Sequence, residues 1–290
     1  MDRVINHRAP SGQLRVGSGE EALRRSVRYG LERIQFGEPL YRKQGFTHKL
    51  IVPHAVRLEA ARHYTFFTLD VSDILDYGAL AVAGDAEARA LLSATLRDPA
   101  REKDIRSYHC RTRTAAGHAY AFSEADVGRL VAKYGNALAA AEDLHAHVKT
   151  VKGDERFDLE LSIDENPPDI PTAACITAPE ELLFLAVELE RRGLPVTHVA
   201  PNFGVEKGTD YRCPDGLEGL ERRVRTISRI ASERNLMLDC HSGDDLSRAT
   251  RRTFGRATGG RLNFKVSPQL QILFAETLFD VQPDLFRFWW

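Results

Sequence analysis

From Phe157 to the C-terminus, short β-rich runs alternate with longer helical patterns, and this alternation constrains the fold more than any other feature. Phe157 to Ile163, Pro195 to Ala200, Leu236 to His241 and Arg261 to Val266 read as strands, dense in aliphatic and β-branched residues. Pro179 to Arg192 and Leu217 to Asn235 read as the helices between them. The first of these has Thr177 as N-cap, Glu180 three residues on and Gly193 just past its end. A strand followed by a helix and another strand specifies a parallel sheet covered by helices. Gly45 to Val52 and Tyr64 to Val71 add two earlier strands, and Ser123 to Val148 a long helix. The expected fold class is therefore α/β, a (β/α) barrel of TIM type, with six of its eight strands legible.

Residues 75–122 break the rhythm and carry mixed charges between Arg97 and Arg113. They follow an early strand, so they are expected to form an insertion or a lid over the strand ends. No low-complexity tract or Gly/Ser linker interrupts the chain, and residues 1–290 are read as a single domain.

The net charge of −1 gives no broad basic field for nucleic acid or acidic lipid. Arg222, Arg223 and Arg225 are read as a solvated helix face. No apolar run approaches the roughly 18 residues of a membrane span, and Met1 to Arg8 lack a signal-peptide core. Cys110, Cys175, Cys213 and Cys240 make no C-x-x-C pair, which fits free thiols and a cytoplasmic setting. Phe286, Phe288, Trp289 and Trp290 crowd aromatic area near the C-terminus, and are expected to pack on the barrel or between two copies in a homo-oligomer.

Ligand groups emerge at the carboxyl ends of parallel strands, and here those ends are polar. They carry Asp70-Val71-Ser72-Asp73, Asp164-Glu165-Asn166, Pro201 to Tyr211 with Asn202 and Lys207, His241 to Asp245, and Asn263 with Lys265. Two chemistries fit. In one, Glu165 and His241 bind a divalent ion such as Zn²⁺ or Mn²⁺, and Asp70 or Asp245 moves a proton. In the other, Lys265 loses its proton and attacks a carbonyl as a Schiff-base aldolase. Against these stand plainer roles: Asp70 and Asp164 as helix caps, and His198 as a satisfied core histidine. The turn His241-Ser242-Gly243-Asp244-Asp245 after an apolar strand has little purpose unless a ligand binds there.

These strings resemble the tagaturonate epimerases, metal-dependent sugar-acid epimerases with a (β/α)-barrel fold. The resemblance is carried by Phe67 to Asp73, Leu159 to Glu165, Ala200-Pro201 through Glu206 to Tyr211, His241 to Asp245 and Gly259 to Lys265, in family order. It implies inversion of a hydroxyl-bearing carbon in a keto-hexuronate of tagaturonate or fructuronate type. It places Glu165 and His241 among the metal ligands, and Asp70, Asp73, Asp245 and Lys207 around the substrate. Lys207 or Lys265 would partner the uronate carboxylate, with Asn202 and Ser242 also on the substrate. The chain departs from the family in having Asn263 for a histidine, Leu246 for a lysine and Asn202 for an arginine. A third ligand would be Asn263, His48, Asp70 or a substrate oxygen. An amide binds a borderline ion less tightly than imidazole, so partial occupancy or a harder ion, Mn²⁺ or Mg²⁺, is expected. The expected function is a metal-assisted epimerase or isomerase. The alternatives are a class I aldolase using Lys265 and a barrel that binds a sugar acid without turnover.

Overall fold

The computed structural model describes residues 34–35, 38–39 and 64–289, with 168 and 267 excepted. The strand expected at Gly45 to Val52, and His48 within it, lie outside the described residues. The chain divides into two compact units, Met1–Asp70 with Ala141–Glu160, and Val71–Ala140 with Leu161–Trp290. In chain order, β1 (Ile34–Gln35) pairs antiparallel with β2 (Glu38–Pro39), and β3 spans Phe66–Asp70. Then come α1 (Asp85–Leu96), α2 (Pro99–His109), the hairpin β4 (Thr112–Ala115) and β5 (His118–Ala121), and the long α3 (Glu124–Lys152). The remainder alternates: β6 (Asp158–Ser162), α4 (Thr172–Cys175), α5 (Pro179–Arg191), β7 (His198–Ala200), α6 (Gly216–Glu233), β8 (Met237–Cys240), α7 (Arg248–Thr258) and β9 (Asn263–Phe264). Two further helices follow, α8 (Pro268–Val281) and α9 (Pro283–Trp289).

Five strands form one sheet in the order β3-β6-β7-β8-β9. The β7–β8 and β8–β9 pairs are parallel, with His198 opposite Met237 and Asp239 opposite Asn263. The α/β class read from the alternation therefore holds. Among the described residues the sheet is open, however, with β3 and β9 at its ends rather than paired into a closed barrel. Burial explains the apolar strand composition: four of five residues in β3 and in β6 are buried, as in strands covered on both faces.

Helix α5 departs from the amphipathic pattern. Residues 181–189 are all buried, including Glu181 and Glu188. A helix apolar all round must be covered on both sides, and residues 75–122 supply contacts along it. The ring of His109 at the end of α2 lies 4.7 Å from Phe184, and its Nε2 lies 2.7 Å from Glu188 Oε1. Asp104 pairs with Arg191, and the Ala116 amide at the hairpin tip donates to Glu233 at the end of α6 at 3.0 Å. The segment expected as a lid thus lines α5 and the C-terminal end of α6, on the helix layer. The apolar run Leu182 to Val187 was the signal for such a cover.

The buried carboxylates need partners, because a lone buried charge is costly. Glu181 accepts from Lys133 Nζ at 2.6 Å and Tyr134 Oη at 2.7 Å, and Lys133 lies over the Tyr77 ring at 4.4 Å. Glu181 also accepts the Ala178 amide at 2.8 Å, so Ala178, not Thr177, is the N-cap and Glu181, not Glu180, closes the first turn. Burial opposes ionisation of Glu188, but His109, Arg191 and Arg192 outweigh it and hold its pKa down at about 2.

At the C-terminus Phe286 packs edge-on against Phe279 at 5.4 Å, while Phe288 is 89 % exposed. Of the two expected placements, on the barrel or between two copies, Phe288 does not take the first within this chain, and Trp290 lies outside the described residues. None of the described helices is long and apolar enough to cross a membrane.

Glu181→Leu leaves Lys133 buried without its counter-charge, and should lower unfolding free energy by about 3–5 kcal/mol in chemical denaturation. Adding Lys133→Met should return much of that loss. Equal losses in the single and double variants would show that the ion pair itself is not the stabilising contact.

Candidate functional site

The register of the parallel strands sets the site. With Asp239 opposite Asn263 and Cys240 opposite Phe264, His241 and Lys265 follow at the same level, just past the ends of β8 and β9. The Lys265 amide donates to Cys240 O and the Gly243 amide to Lys265 O, both at 2.9 Å, so the ladder continues beyond the assigned strands. Gly243 is required here: a Cβ would lie 2.7 Å from Phe264 Cβ. Ser242 adopts a left-handed φ of 58°, a conformation that costs a non-glycine residue energy and tends to occur where a side chain must be aimed.

A cavity of about 220 Å³ opens at these ends, lined by Asp164, Glu165, Asn166, Phe203, Glu206, Lys207, His241 and Ser242 among others. Within it His241 Nδ1 lies 2.9 Å from Asp164 Oδ2, and its Nε2 lies 3.5 Å from Lys265 Nζ. Lys207 Nζ pairs with Glu165 Oε1 at 3.0 Å, an exposed contact that solvent screens. The Glu165 amide donates to Ser72 Oγ at 3.2 Å. Burial, with Asp164 and Asp239 nearby, pushes the Cys240 thiol well above its ordinary range, so it is an inert wall rather than a nucleophile.

Asn202 differs from its expected role on the substrate. It is 1 % exposed, and its amide nitrogen donates to Asp164 O at 2.8 Å and to Asn166 Oδ1. Its Oδ1 accepts the Gly204 amide and its own amide donates to Thr177 Oγ1, at 2.8 and 2.9 Å. Both side-chain N–H groups and one lone pair of the oxygen are taken up in joining the loops after β6 and β7.

The loop after β7 is tied to the loop after β8. Asp210 Oδ1 accepts the Ser247 amide at 3.0 Å and Thr250 Oγ1 at 2.7 Å, and Asp245 Oδ2 accepts the Gly208 amide at 2.8 Å. Burial works against the Asp210 carboxylate, but these bonds and the Tyr211 amide hold its pKa down at about 2. Asp245 and Asp73 are exposed, and neither lines the cavity. Asn263 is exposed and sits one pair below the strand ends, opposite Asp239. Asp70 ends β3 in the first unit and is 8 % exposed.

For a divalent ion, the described residues contain no group of three His, Cys, Asp or Glu side chains placed to hold one. The cavity brings together two of the three donors read from the sequence, Glu165 and His241. The sequence reading missed Asp164 as a site residue, treating it as a helix cap, yet α4 begins only at Thr172. The unbroken polar triplet Asp164-Glu165-Asn166 was the available signal. Glu206, which pairs with Thr172, was overlooked in the same way.

The model of a family described as tagaturonate epimerase matches residues 48–289. A tagaturonate/fructuronate epimerase of Thermotoga maritima is 29 % identical over 234 residues, 79 % of this chain and 45 % of that protein. The crystal structure of fructuronate-tagaturonate epimerase UxaE from Cohnella laeviribosi, complexed with glycerol, aligns at a TM-score of 0.60 and 26 % identity. The alignment covers 80 % of this chain and 45 % of that one. The chain thus spans about half the length of these relatives.

The Asp210 tie sets a pH window. A carboxylate depressed from 3.8 to about 2 stabilises the folded loop fully above pH 3.8, and that contribution is lost as pH falls through about 2. Amide exchange at Ser247 should therefore accelerate between about pH 4 and pH 2, beyond the intrinsic rate, and at neutral pH in Asp210→Ala. Unchanged protection of Ser247 in Asp210→Ala would show that the carboxylate does not hold the loop.

Proposed function

The chain belongs to the tagaturonate epimerase family, and on that basis we propose that it inverts a hydroxyl-bearing carbon of a keto-hexuronate such as tagaturonate or fructuronate. The observation that carries the reading is the shared cavity in which Asp164, Glu165, Lys207 and His241 meet at the ends of adjacent strands. Its volume of about 220 Å³ suits one small polar sugar rather than a chain of them. Lys207 and Lys265 are the cations in reach of a uronate carboxylate, and each would give up a weak contact to take it: Lys207 the exposed pair with Glu165, Lys265 the 3.5 Å approach to His241. Ser242 offers a hydroxyl to the sugar from the cavity wall. Asp245 accepts the Gly208 amide and so orders the loop that carries Lys207, from outside the cavity lining.

Glu165 and His241 would hold a divalent ion, with Asp164 beside Nδ1 leaving Nε2 as the donor atom. Such an ion, Zn²⁺, Mn²⁺ or Mg²⁺, supplies polarisation of the keto oxygen when bound. The further donor is a substrate oxygen, Asn263, or His48 outside the described residues, which favours partial occupancy. We also propose that the sheet belongs to a (β/α) barrel. Its strands stand side by side in chain order without a reversal, the winding of a barrel rather than of a doubly wound sheet. Four cysteines outside any disulfide fit a cytoplasmic protein. The exposed row of Leu273, Phe274, Phe279, Val281, Leu285 and Phe288 is where a homo-oligomer would form.

Incubation of the purified chain with fructuronate and Mn²⁺ should yield tagaturonate by chromatography. His241→Ala should abolish both turnover and calorimetric ion binding, whereas Asn263→His should tighten binding, most for Zn²⁺. A second reading, a Schiff-base aldolase, draws on the position of Lys265 at the strand ends beside His241. Covalent trapping of substrate by borohydride at Lys265, with no ion requirement, would replace the epimerase reading by that one.

A further inference from the structure

Arg222, Arg223 and Arg225 read from the sequence as one solvated helix face, and Arg222 and Arg225 are exposed on α6 as expected. Arg223 is not: its side chain is 23 % exposed and turned against the loop that precedes the helix. Its Nη1 donates to Phe203 O at 3.4 Å, where the chain leaves the end of β7. Its Nη2 donates to Tyr211 Oη and its Nε to Asp215 Oδ2 at 3.0 Å, where the chain returns to α6. Tyr211 in turn donates to Asp215 Oδ1, so one guanidinium, one phenol and one carboxylate close a ring of contacts. A second cross-link lies beside it, Cys213 Sγ donating to Gly204 O at 3.5 Å. Gly204 has a left-handed φ of 84°, and a Cβ there would stand 2.7 Å from Cys213 Sγ, so only glycine lets the two limbs come this close.

Between those limbs lies the exposed tip that carries Glu206 and Lys207 to the cavity. A loop whose ends are pinned close together loses much of its freedom before any ligand arrives. The tip is held further by the Gly208 amide, which donates to Asp245 Oδ2 at 2.8 Å. Lys207, with a side chain 66 % exposed, owes its place at the cavity to this loop and not to burial. We propose that Arg223 is a positioning residue that pins the two limbs of the 203–215 loop and thereby fixes Lys207 at the cavity, pre-organised for the anionic group of the substrate. A guanidinium suits the task because its donors point in several fixed directions and reach a carbonyl, a phenol and a carboxylate together. An ammonium, a single point of charge, cannot span all three. Arg223 does not line the cavity, and its effect on the ligand passes through the loop. The inference rests on the reading of Lys207 as a partner of the uronate carboxylate, and deepens it by naming what holds that cation in place.

The test compares Arg223→Lys, which keeps the charge but not the span, with Arg222→Lys on the exposed side of the same helix. Amide hydrogen exchange of the full chain reads the loop without any ligand. Gly208 should exchange on the order of 10-fold faster in Arg223→Lys, and at the wild-type rate in Arg222→Lys. With a keto-hexuronate as substrate, Arg223→Lys should raise KM on the order of 10-fold with kcat nearly unchanged, because binding then has to order the loop. Lys207→Met should raise KM as well, and in that background Arg223→Lys should add little, as expected of two residues acting through one contact. Tyr211→Phe keeps the Arg223–Asp215 pair and serves as the milder variant should Arg223→Lys not fold, with the same pattern on a smaller scale. Unchanged Gly208 exchange in a folded variant overturns the inference. So do additive losses in the Lys207→Met background, or a fall in kcat alone, either of which makes Arg223 a support of the fold and not of the cation. A wild type that turns over no keto-hexuronate, but whose Gly208 exchange depends on Arg223, would sink the epimerase reading and leave the pinned loop standing.

Discussion

Parallel pairing is the constraint from which the site follows. When β8 and β9 run side by side with Asp239 opposite Asn263, His241 and Lys265 must emerge at one level whatever their side chains prefer. The loop after β6 joins them through Asp164, because Ile163 is bonded to Ala200 and so ends level with β7. Ionisable groups delivered to one place by backbone geometry must then neutralise one another or meet a ligand. Here Lys207 pairs with Glu165 in an exposed contact that solvent screens, Asp164 lies 2.9 Å from His241, and Lys265 approaches the other side of that ring at 3.5 Å.

The helix layer shows the opposite treatment of charge. Glu181 and Glu188 on α5 are almost fully buried, and every oxygen of theirs is matched by a lysine, arginine, histidine, tyrosine or backbone donor. Desolvation would otherwise drive these carboxyls neutral. Residues 75–140 provide several of the matching groups, among them His109, Lys133 and Tyr134, and so are bound to α5 by polar as well as apolar contacts. The second unit thus buries matched charges in its helix layer and gathers ionisable groups at its strand ends.

Asn202 links these two regimes. Its buried side-chain amide joins the loop after β6 to the loop after β7, and its backbone amide donates to Thr177, two residues before α5.

The sequence by itself determined the order of elements, because periodicity records which face of a strand or helix is buried. The helices at Pro179, Leu217 and Ser123 and the strands ending at Asp70, Ile163, Ala200 and His241 are found within a few residues of where that pattern puts them. It also determined that polar groups gather at the strand ends, and five strings in family order named the family. Tertiary structure alone decided which of those groups meet. Asp164 and Glu165 are neighbours in sequence, yet one faces His241 and the other Lys207, a distinction set by backbone direction. Asn202 reads as a ligand-facing amide until its hydrogen bonds are seen. Hydrogen-bond saturation and burial depend on atoms distant in the chain, and local pattern carries no record of them.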